Sequence, residues 1–257
     1  MKQMSTTGLM RRVAGTYAAH YQEQGIPISQ ERAESQFEAY AQALRSAGLE
    51  VHFVEADDDY YDCVFIEDTA IVWPPRALVG RLARHREGEQ QPVEARLGRW
   101  HETVKLSPDA RLEGGDVLHI EQTTYVGLTK RTNDEGIEAL REFMRPFGRR
   151  VVKVPVDKSL HLKSAATYLG NGTIIVAPDL IETRHFEVED VIFTDRAEHR
   201  AANCLRVREH LLIPEGCPAT EKRLREFADQ TGLEAVLLDI SEFEKGDGSM
   251  TCLSIIW

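Results

Sequence analysis

Short apolar runs alternate with helical periods along this chain, and the same order of elements keeps returning. Ala33, Phe37, Tyr40, Ala41 and Leu44 recur at helical spacing, which predicts a helix over residues 29–47 stopped by Gly48. An extended run at 8–13 precedes it and a short one at 51–54 follows. Residues 63–73 and 77–79 then read as extended, 85–101 as polar and helix-compatible, and 103–106 as extended. Residues 115–120 and 124–128 form a hairpin-like pair, 133–147 a helix and 151–154 a strand. Residues 165–169 and 173–177 flank Asn171-Gly172, a strong hairpin signal. After them, 179–186 suits a short helix and 191–194 a strand. Residues 202–207 and 211–214 pair, 220–231 is helical and 234–238 extended.

The final run, 251–257, has no partner after it, and the first run is its natural one. The pattern therefore predicts five ββαβ units in a ring closed by the two chain ends. Radial repetition of this kind protects sheet edges. It also gathers inner strand ends around a central axis where a ligand can sit. An ordinary α/β domain with mixed strands is the competing topology. No linker is visible, so residues 1–257 are expected to form one domain. Residues 15–27, with Gly and Pro at their ends, read as a long loop suited to cover an active site.

Composition narrows the function. The 257 residues carry 31 basic and 42 acidic side chains, a formal net charge of -11. Nucleic-acid and anionic-membrane surfaces reward clustered Lys and Arg, so neither is an expected partner. A cationic small molecule is compatible with this charge, and so is plain solvation. No apolar run approaches the ~20 residues of a membrane span, and residues 1–12 hold no signal-peptide core. The four cysteines, Cys63, Cys204, Cys217 and Cys252, form no Cys-x-x-Cys pair. That points to a reduced, cytoplasmic protein without a disulfide framework or a zinc site. Cys63 and Cys204 lie in strand-like apolar runs and suit core packing.

Five segments place polar residues beside strand-like apolar ones. In Asp62-Cys63-Val64-Phe65-Ile66-Glu67-Asp68-Thr69, the two adjacent acids fall between apolar runs. A buried carboxylate needs a cation, and a guanidinium offers planar paired donors; a solvated turn is the alternative. In Leu112-Glu113-Gly114-Gly115-Asp116, the glycines let the backbone turn tightly with Glu113 facing inward, or simply make a turn. In Thr129-Lys130-Arg131-Thr132-Asn133, Asn133 is a helix N-cap. Arg131 suits a substrate carboxylate or the surface. In Ser159-Leu160-His161-Leu162-Lys163, His161 is either structural or a general acid/base. In Gly246-Asp247-Gly248-Ser249-Met250-Thr251-Cys252, a glycine-rich loop gives a cysteine access at the start of the last strand. Access and thiolate formation are what a nucleophile needs; a small core residue is the bland reading. All five segments lie at strand ends of different units, as convergence on one pocket requires. No His-x-x-x-His pair or cysteine cluster suggests a metal, and no cofactor is expected.

These segments, in this order, resemble the dimethylarginine dimethylaminohydrolases of the arginine-deiminase-like (amidinotransferase, or pentein) superfamily. The resemblance covers nearly the whole chain and includes residues 202–204. It implies a single catalytic domain, a five-bladed α/β propeller of ββαβ units closed by the N- and C-terminal strands. It also implies a cysteine hydrolase that turns an N-omega-methylated arginine into citrulline and dimethylamine or methylamine through a covalent thiouronium intermediate. Cys252 matches the family nucleophile, His161 the acid/base and Glu113 the carboxylate between that histidine and the guanidinium. Asp68 matches the second guanidinium-binding acid, with Glu67 beside it. Asp62 matches a residue near the substrate's amino-acid end. Arg131 matches an arginine that holds the α-carboxylate, and Arg81 resembles a second. Arginine deiminases carry His-x-Asp where this chain has His161-Leu162-Lys163, which fits a site with room for N-methyl groups. The implied partner is a small guanidino amino acid, and a homodimer is compatible. The rivals are a deiminase or amidinotransferase of the same superfamily, and a non-catalytic propeller.

Overall fold

The computed structural model describes residues 6–257, so the part of the 1–12 segment before Thr6 lies outside the described residues. Fifteen strands form five three-stranded sheets. In chain order the strands and their connecting helices begin with β1 (Thr7–Arg11), α1 (Tyr17–Glu23), α2 (Gln30–Ser46) and β2 (Glu50–Val54). Then come β3 (Ala70–Trp73), β4 (Arg76–Val79), α3 (Gln90–Leu97) and β5 (Glu102–Lys105). They are followed by β6 (Val117–Ile120), β7 (Thr123–Leu128), α4 (Asp134–Met144) and β8 (Arg150–Pro155). The fourth unit holds β9 (Ala166–Gly170), β10 (Thr173–Val176) and β11 (Asp190–Phe193). The chain ends with β12 (Leu205–Val207), β13 (His210–Pro214), α5 (Pro218–Thr231), β14 (Glu234–Leu238), α6 (Ser241–Glu244) and β15 (Ile255–Ile256).

Each sheet follows one rule. Its middle strand runs antiparallel to the first and parallel to the third. In four of the sheets the antiparallel pair closes through a tight hairpin, whereas the parallel pair needs a crossover. Helices α2, α3, α4 and α5 supply four of these crossovers. In the first sheet, β1 is the middle strand and its inner partner is the C-terminal β15, with Gly8 opposite Ile256 and Leu9 opposite Ile255. The two chain ends therefore close the ring. Burying a large apolar side chain contributes ~1.5–3 kcal/mol, and α2 sinks Phe37, Tyr40 and Leu44 against neighbouring strands. Its start is fixed by Ser29, whose hydroxyl accepts the Arg32 N–H at 3.4 Å. Asn133 caps α4 through the Gly136 N–H at 3.0 Å.

Several sequence expectations need correction. Residues 15–27 are not a bare loop, because they contain α1, with Tyr17, Ala18 and Tyr21 buried. Residues 179–186 hold only a 3₁₀ turn, Thr183–His185. Ile181 and Phe186 anchor that crossover directly into the core beside Tyr125, and Leu180 and Val188 pack against the same cluster. The helix expected over 85–101 shrinks to α3 with a 3₁₀ turn, Arg84–Arg86, ahead of it. The run 63–73 becomes extended only at β3, and Cys63 is a buried turn residue rather than a strand residue. Cys252 sits in a 3₁₀ turn, Thr251–Leu253, one step before β15.

That last turn belongs to a set. The innermost strands β3, β6, β9 and β15 each follow a 3₁₀ turn: Ile66–Thr69, Gly114–Asp116, Leu162–Ser164 and Thr251–Leu253. A fifth, Arg196–Ala202, runs up to Asn203 and Cys204 ahead of β12. Among the described residues no helix is long and apolar enough to cross a membrane.

Candidate active site

The five turns carry the polar residues that strand periodicity could not accommodate. Glu67 and Asp68 lie in the first, where the Thr69 hydroxyl donates to Ile66 O at 2.7 Å and tightens the bend. Glu113 precedes the second, and two glycines let it approach. A Cβ on Gly114 would stand 2.0 Å from Glu67 O, and one on Gly115 would stand 2.8 Å from both Asp68 Oδ1 and His161 Cγ. These close approaches require glycine whatever the turn type. The Gly115 N–H also donates to Asp68 Oδ1 at 3.1 Å.

Asp116 ties two further segments to this turn. Its carboxylate accepts the Thr129 and Thr132 hydroxyls at 2.7 and 2.6 Å, and the Leu162 N–H at 2.9 Å. The Arg131 segment and the His161 segment are thereby anchored to one buried acid. His161 Nε2 lies 2.7 Å from Glu113 Oε2 and 3.7 Å from Asp68 Oδ1. Glu113 Oε1 accepts the Ala83 N–H at 2.8 Å and Arg131 Nη1 at 3.2 Å. Asp68 Oδ2 receives Arg86 Nη1 at 2.7 Å. Glu113, Asp68, His161 and Arg86 are all buried.

The charges set one another's protonation. Burial alone would discharge His161, but Asp68, the hydrogen bond it donates to Glu113 and the Asp116 charge together raise its pKa to about 9. Burial pushes Asp68 up, and His161 and Arg86 more than reverse this, holding it below the usual carboxylate value. Glu67 is raised by burial despite its contacts with Lys163 and with the Thr251 hydroxyl, the latter at 2.7 Å. The half-buried Cys252 thiol is pushed well above its usual value, first by burial and then by Glu67 and Asp68. Glu67 and Asp68 thus couple electrically to the sulfur, and Asp68 contacts the imidazole. The nucleophile and acid/base candidates accordingly have Asp68 as a common neighbour. A groove of about 780 Å3 runs between the segments that precede them in the chain, bordered by Ser159, Leu160, Asn203 and Ser249 among others; Cys252 and His161 themselves do not line it.

Asp62 is more peripheral. Its Oδ1 accepts the Tyr21 hydroxyl at 2.8 Å, and the same hydroxyl lies 3.1 Å from Gly246 O. Helix α1 therefore bridges Asp62 and the loop leading to Cys252. Arg81 stands outside the cluster: its guanidinium donates to Pro108 O and faces Glu87 at 3.9 Å. Sequence reasoning missed Arg86, whose guanidinium bridges Asp68 and Glu89 and also donates to Phe65 O at 3.0 Å. Arg11 holds Glu89 from behind through its carbonyl at 2.8 Å.

Donor atoms of Asp68, Glu113 and His161 lie within 4.8 Å of one another, the set among the described residues whose chemistry most suits a metal. The two carboxylates already carry the guanidinium groups of Arg86 and Arg131. A site that charge-matches planar cations suits a guanidinium better than a further metal ion.

Comparison with known proteins agrees with this geometry. The family model described as N,N dimethylarginine dimethylhydrolase, eukaryotic, matches residues 14–255. The N(G),N(G)-dimethylarginine dimethylaminohydrolase of Streptomyces coelicolor is 39% identical over 228 residues, covering 86% of this chain and 84% of that protein. The enzyme of the same name from Pseudomonas aeruginosa is 27% identical, covering 87% and 88%. Among solved structures, a dimethylarginine dimethylaminohydrolase His-to-Gly variant, as its adduct with S-methyl-L-thiocitrulline, superposes with a TM-score of 0.90 at 25% identity over 99% of this chain and 100% of the other. A Cys-to-Ser variant of the Pseudomonas aeruginosa enzyme complexed with citrulline gives 0.89 at 25% identity over the same shares. These enzymes have the pentein propeller fold, and so does this chain. On the family match and the extent of these similarities, the chain belongs to the dimethylarginine dimethylaminohydrolase family.

Proposed function

We propose that this chain is a single-domain, cofactor-free cytoplasmic cysteine hydrolase that converts N-omega-methylated arginine into citrulline and dimethylamine or methylamine. The observation that carries the reading is the imidazole of His161 held between Glu113 and Asp68, on turns that also bring in Cys252. In this reading the substrate guanidinium takes the face of Glu113 that Arg131 contacts at 3.2 Å, and pairs with Asp68 as well. Arg131, released, meets the α-carboxylate, with Arg81 as a second candidate. Asp62 faces the amino-acid end, and Glu67 backs the nucleophile.

The protonation states fit the order of events. Near neutral pH His161, with a pKa of about 9, carries its proton and is ready as an acid. Cys252 waits as a thiol because burial disfavours its charge and two carboxylates oppose it further. The arriving cation offsets them, the thiol proton leaves to solvent, and the thiolate attacks Cζ. His161 gives its proton to the departing amine as the C–N bond breaks, leaving an S-linked thiouronium-type intermediate. A water then attacks Cζ and gives one proton to His161; the C–S bond breaks to return the thiolate as the C=O forms, and the remaining hydroxyl proton passes to solvent, freeing neutral citrulline. Preorganised carboxylates compensate the charge throughout, where their field is strong. Lys163, paired with Glu67, stands where a deiminase would carry an acid for an unsubstituted guanidinium.

The test is citrulline formation from dimethylated, monomethylated and unmodified arginine by wild type and by Cys252→Ser. Turnover of the methylated substrates, abolished in a folded, ligand-binding variant, is the expected result. Wild-type rates in the variant would remove Cys252 from the mechanism, and preference for arginine would move the enzyme to the deiminases.

A further inference from the structure

Asn203 is 2% exposed and lies just ahead of β12. No step above uses it, yet every polar atom of its side chain is engaged. Its Oδ1 accepts the Thr251 N–H at 2.9 Å. Its Nδ2 donates to Lys163 O at 3.0 Å and to Thr251 Oγ1 at 3.2 Å. The Thr251 hydroxyl passes its own proton to Glu67 Oε2 at 2.7 Å. The other oxygen of Glu67 receives Lys163 Nζ, and the Lys163 carbonyl leads back to Asn203. The contacts form a closed ring through Asn203, Thr251, Glu67 and Lys163. Its members come from the segments preceding β12, β15, β3 and β9, the innermost strands of four different sheets.

The ring has one hydrogen-bond direction. The Thr251 N–H and the Lys163 ammonium can only donate, and the Lys163 carbonyl can only accept. Turning the Asn203 amide over would set its NH2 against an N–H and its oxygen against a carbonyl. The Thr251 hydroxyl has a single proton, which the carboxylate takes, so its lone pair must accept from Asn203. Thr251 precedes Cys252 directly, and Lys163 lies two residues past His161. The amide therefore fastens the turn that carries the nucleophile to the turn that carries the acid/base, without touching either group.

We propose that Asn203 is a positioning residue that fixes the Cys252 thiol relative to the His161 ring. The assignment rests on the roles given above to Cys252 and His161. A displacement on the ångström scale at a reacting pair can cost about a hundredfold in rate. Binding of the substrate through Asp68, Glu113 and Arg131 does not pass through the ring.

The experiment compares Asn203→Ala, Asn203→Asp, Thr251→Val and Thr251→Ser in the full chain. Citrulline formation gives kcat and KM, circular dichroism gives folding, and iodoacetamide alkylation at Cys252, followed by peptide mass, gives thiol behaviour. We expect Asn203→Ala and Thr251→Val to lower kcat at least tenfold with KM within threefold, and Thr251→Ser to keep most of the rate. The double variant should be no slower than Asn203→Ala alone, because both break one unit. Asn203→Asp should also shift the alkylation profile of Cys252 to higher pH, since it loses two donors and adds an acid near the sulfur. Thr251→Val, which removes one hydroxyl, tests the ring even if Asn203→Ala does not fold. A kcat within twofold of wild type in a folded Asn203→Ala or Thr251→Val overturns the proposal, as does an equal loss in Thr251→Ser. Should wild type process no methylarginine, the proposed function fails by itself. The alkylation arm then decides alone: a Cys252 rate unchanged in Asn203→Ala and Thr251→Val overturns the pinning, and a fivefold change upholds it.

Discussion

Replacing Glu113 with glutamine keeps the shape of the side chain and removes its charge from a fully buried position. Its Oε2 is 2.7 Å from His161 Nε2, so the imidazolium loses its closest carboxylate. In the wild type the pKa of His161 rises from 6.5 to about 9: burial opposes this, and Asp68, the Glu113 hydrogen bond and Asp116 override it. A shift of that size is roughly 3 kcal/mol of preference for the charged form, at ~1.4 kcal/mol per unit. The folded pKa lies above the unfolded one. The stabilisation is therefore complete below pH 6.5 and is lost as pH climbs through about 9. His85, His101 and His119 are all shifted downward by burial, so their linkage acts on the acid side of that window. His161 should accordingly cost wild type roughly 3 kcal/mol between pH 6.5 and 10, about 6–12 °C of melting temperature for a chain of this size, and the thiols of Cys63, Cys204, Cys217 and Cys252, all raised by burial, add to the fall at its alkaline end. A carboxylate in contact typically moves its neighbour by about 1–3 units. In Glu113→Gln the midpoint should thus drop by about one unit or more, and the alkaline fall should shrink and begin earlier. Calorimetry across pH and ring-proton NMR of His161 both read this, and turnover should drop ~100-fold or more with the acid/base detuned. A His161 ring titrating at the same pH in both proteins, or a wild-type melting temperature flat between pH 6.5 and 9, would refute the reasoning.

Two other substitutions probe the packing beneath the chemistry. Gly115→Ala would set a Cβ 2.8 Å from His161 Cγ and from Asp68 Oδ1; relieving that overlap should cost ~1–3 kcal/mol in urea unfolding, and an undiminished kcat would show that His161 tolerates displacement. Lys163→Met should destabilise by ~1–3 kcal/mol, because it leaves the partly buried Glu67 carboxylate with the Thr251 hydroxyl but without its cation. Adding Glu67→Gln should recover much of that loss, and a double variant as unstable as the single one would contradict the ion-pair account.

The periodic part of the fold was readable because periodicity records burial. Helix α2 shows its inner face at Phe37, Tyr40 and Leu44, and Asn171-Gly172 takes the left-handed backbone its hairpin needs, with φ of 53° and 72°. Asn133 announces α4 because a cap is a local device. The misreadings share a different cause. Helix α1 is seven residues long and is held by tertiary bonds, among them the Tyr17 hydroxyl on Glu242 O at 3.1 Å. Residues 179–186 contain enough apolar side chains for a helix, but their spacing serves direct anchoring beside Tyr125 instead.

The site escapes periodicity for a structural reason. Its residues sit in, or directly ahead of, single 3₁₀ turns of three or four residues, too short to show a repeat, and each turn alone reads as a solvated bend. Their order along the chain carried the family resemblance, and that order became a constellation only when the ring closed. Arg86 shows the limit most clearly. The sequence offers Arg81, Arg84 and Arg86 within one polar stretch, and nothing local distinguishes them. The choice is made by partners 18 and 3 residues away, Asp68 and Glu89, whose buried carboxylates need a cation that can face both. Arg81, which the family resemblance offered as a second arginine beside Arg131, donates to Pro108 O and faces Glu87. Burial, not residue type, decides which arginine stands beside the reacting centre, and burial of a long polar side chain is the property a single sequence encodes least directly.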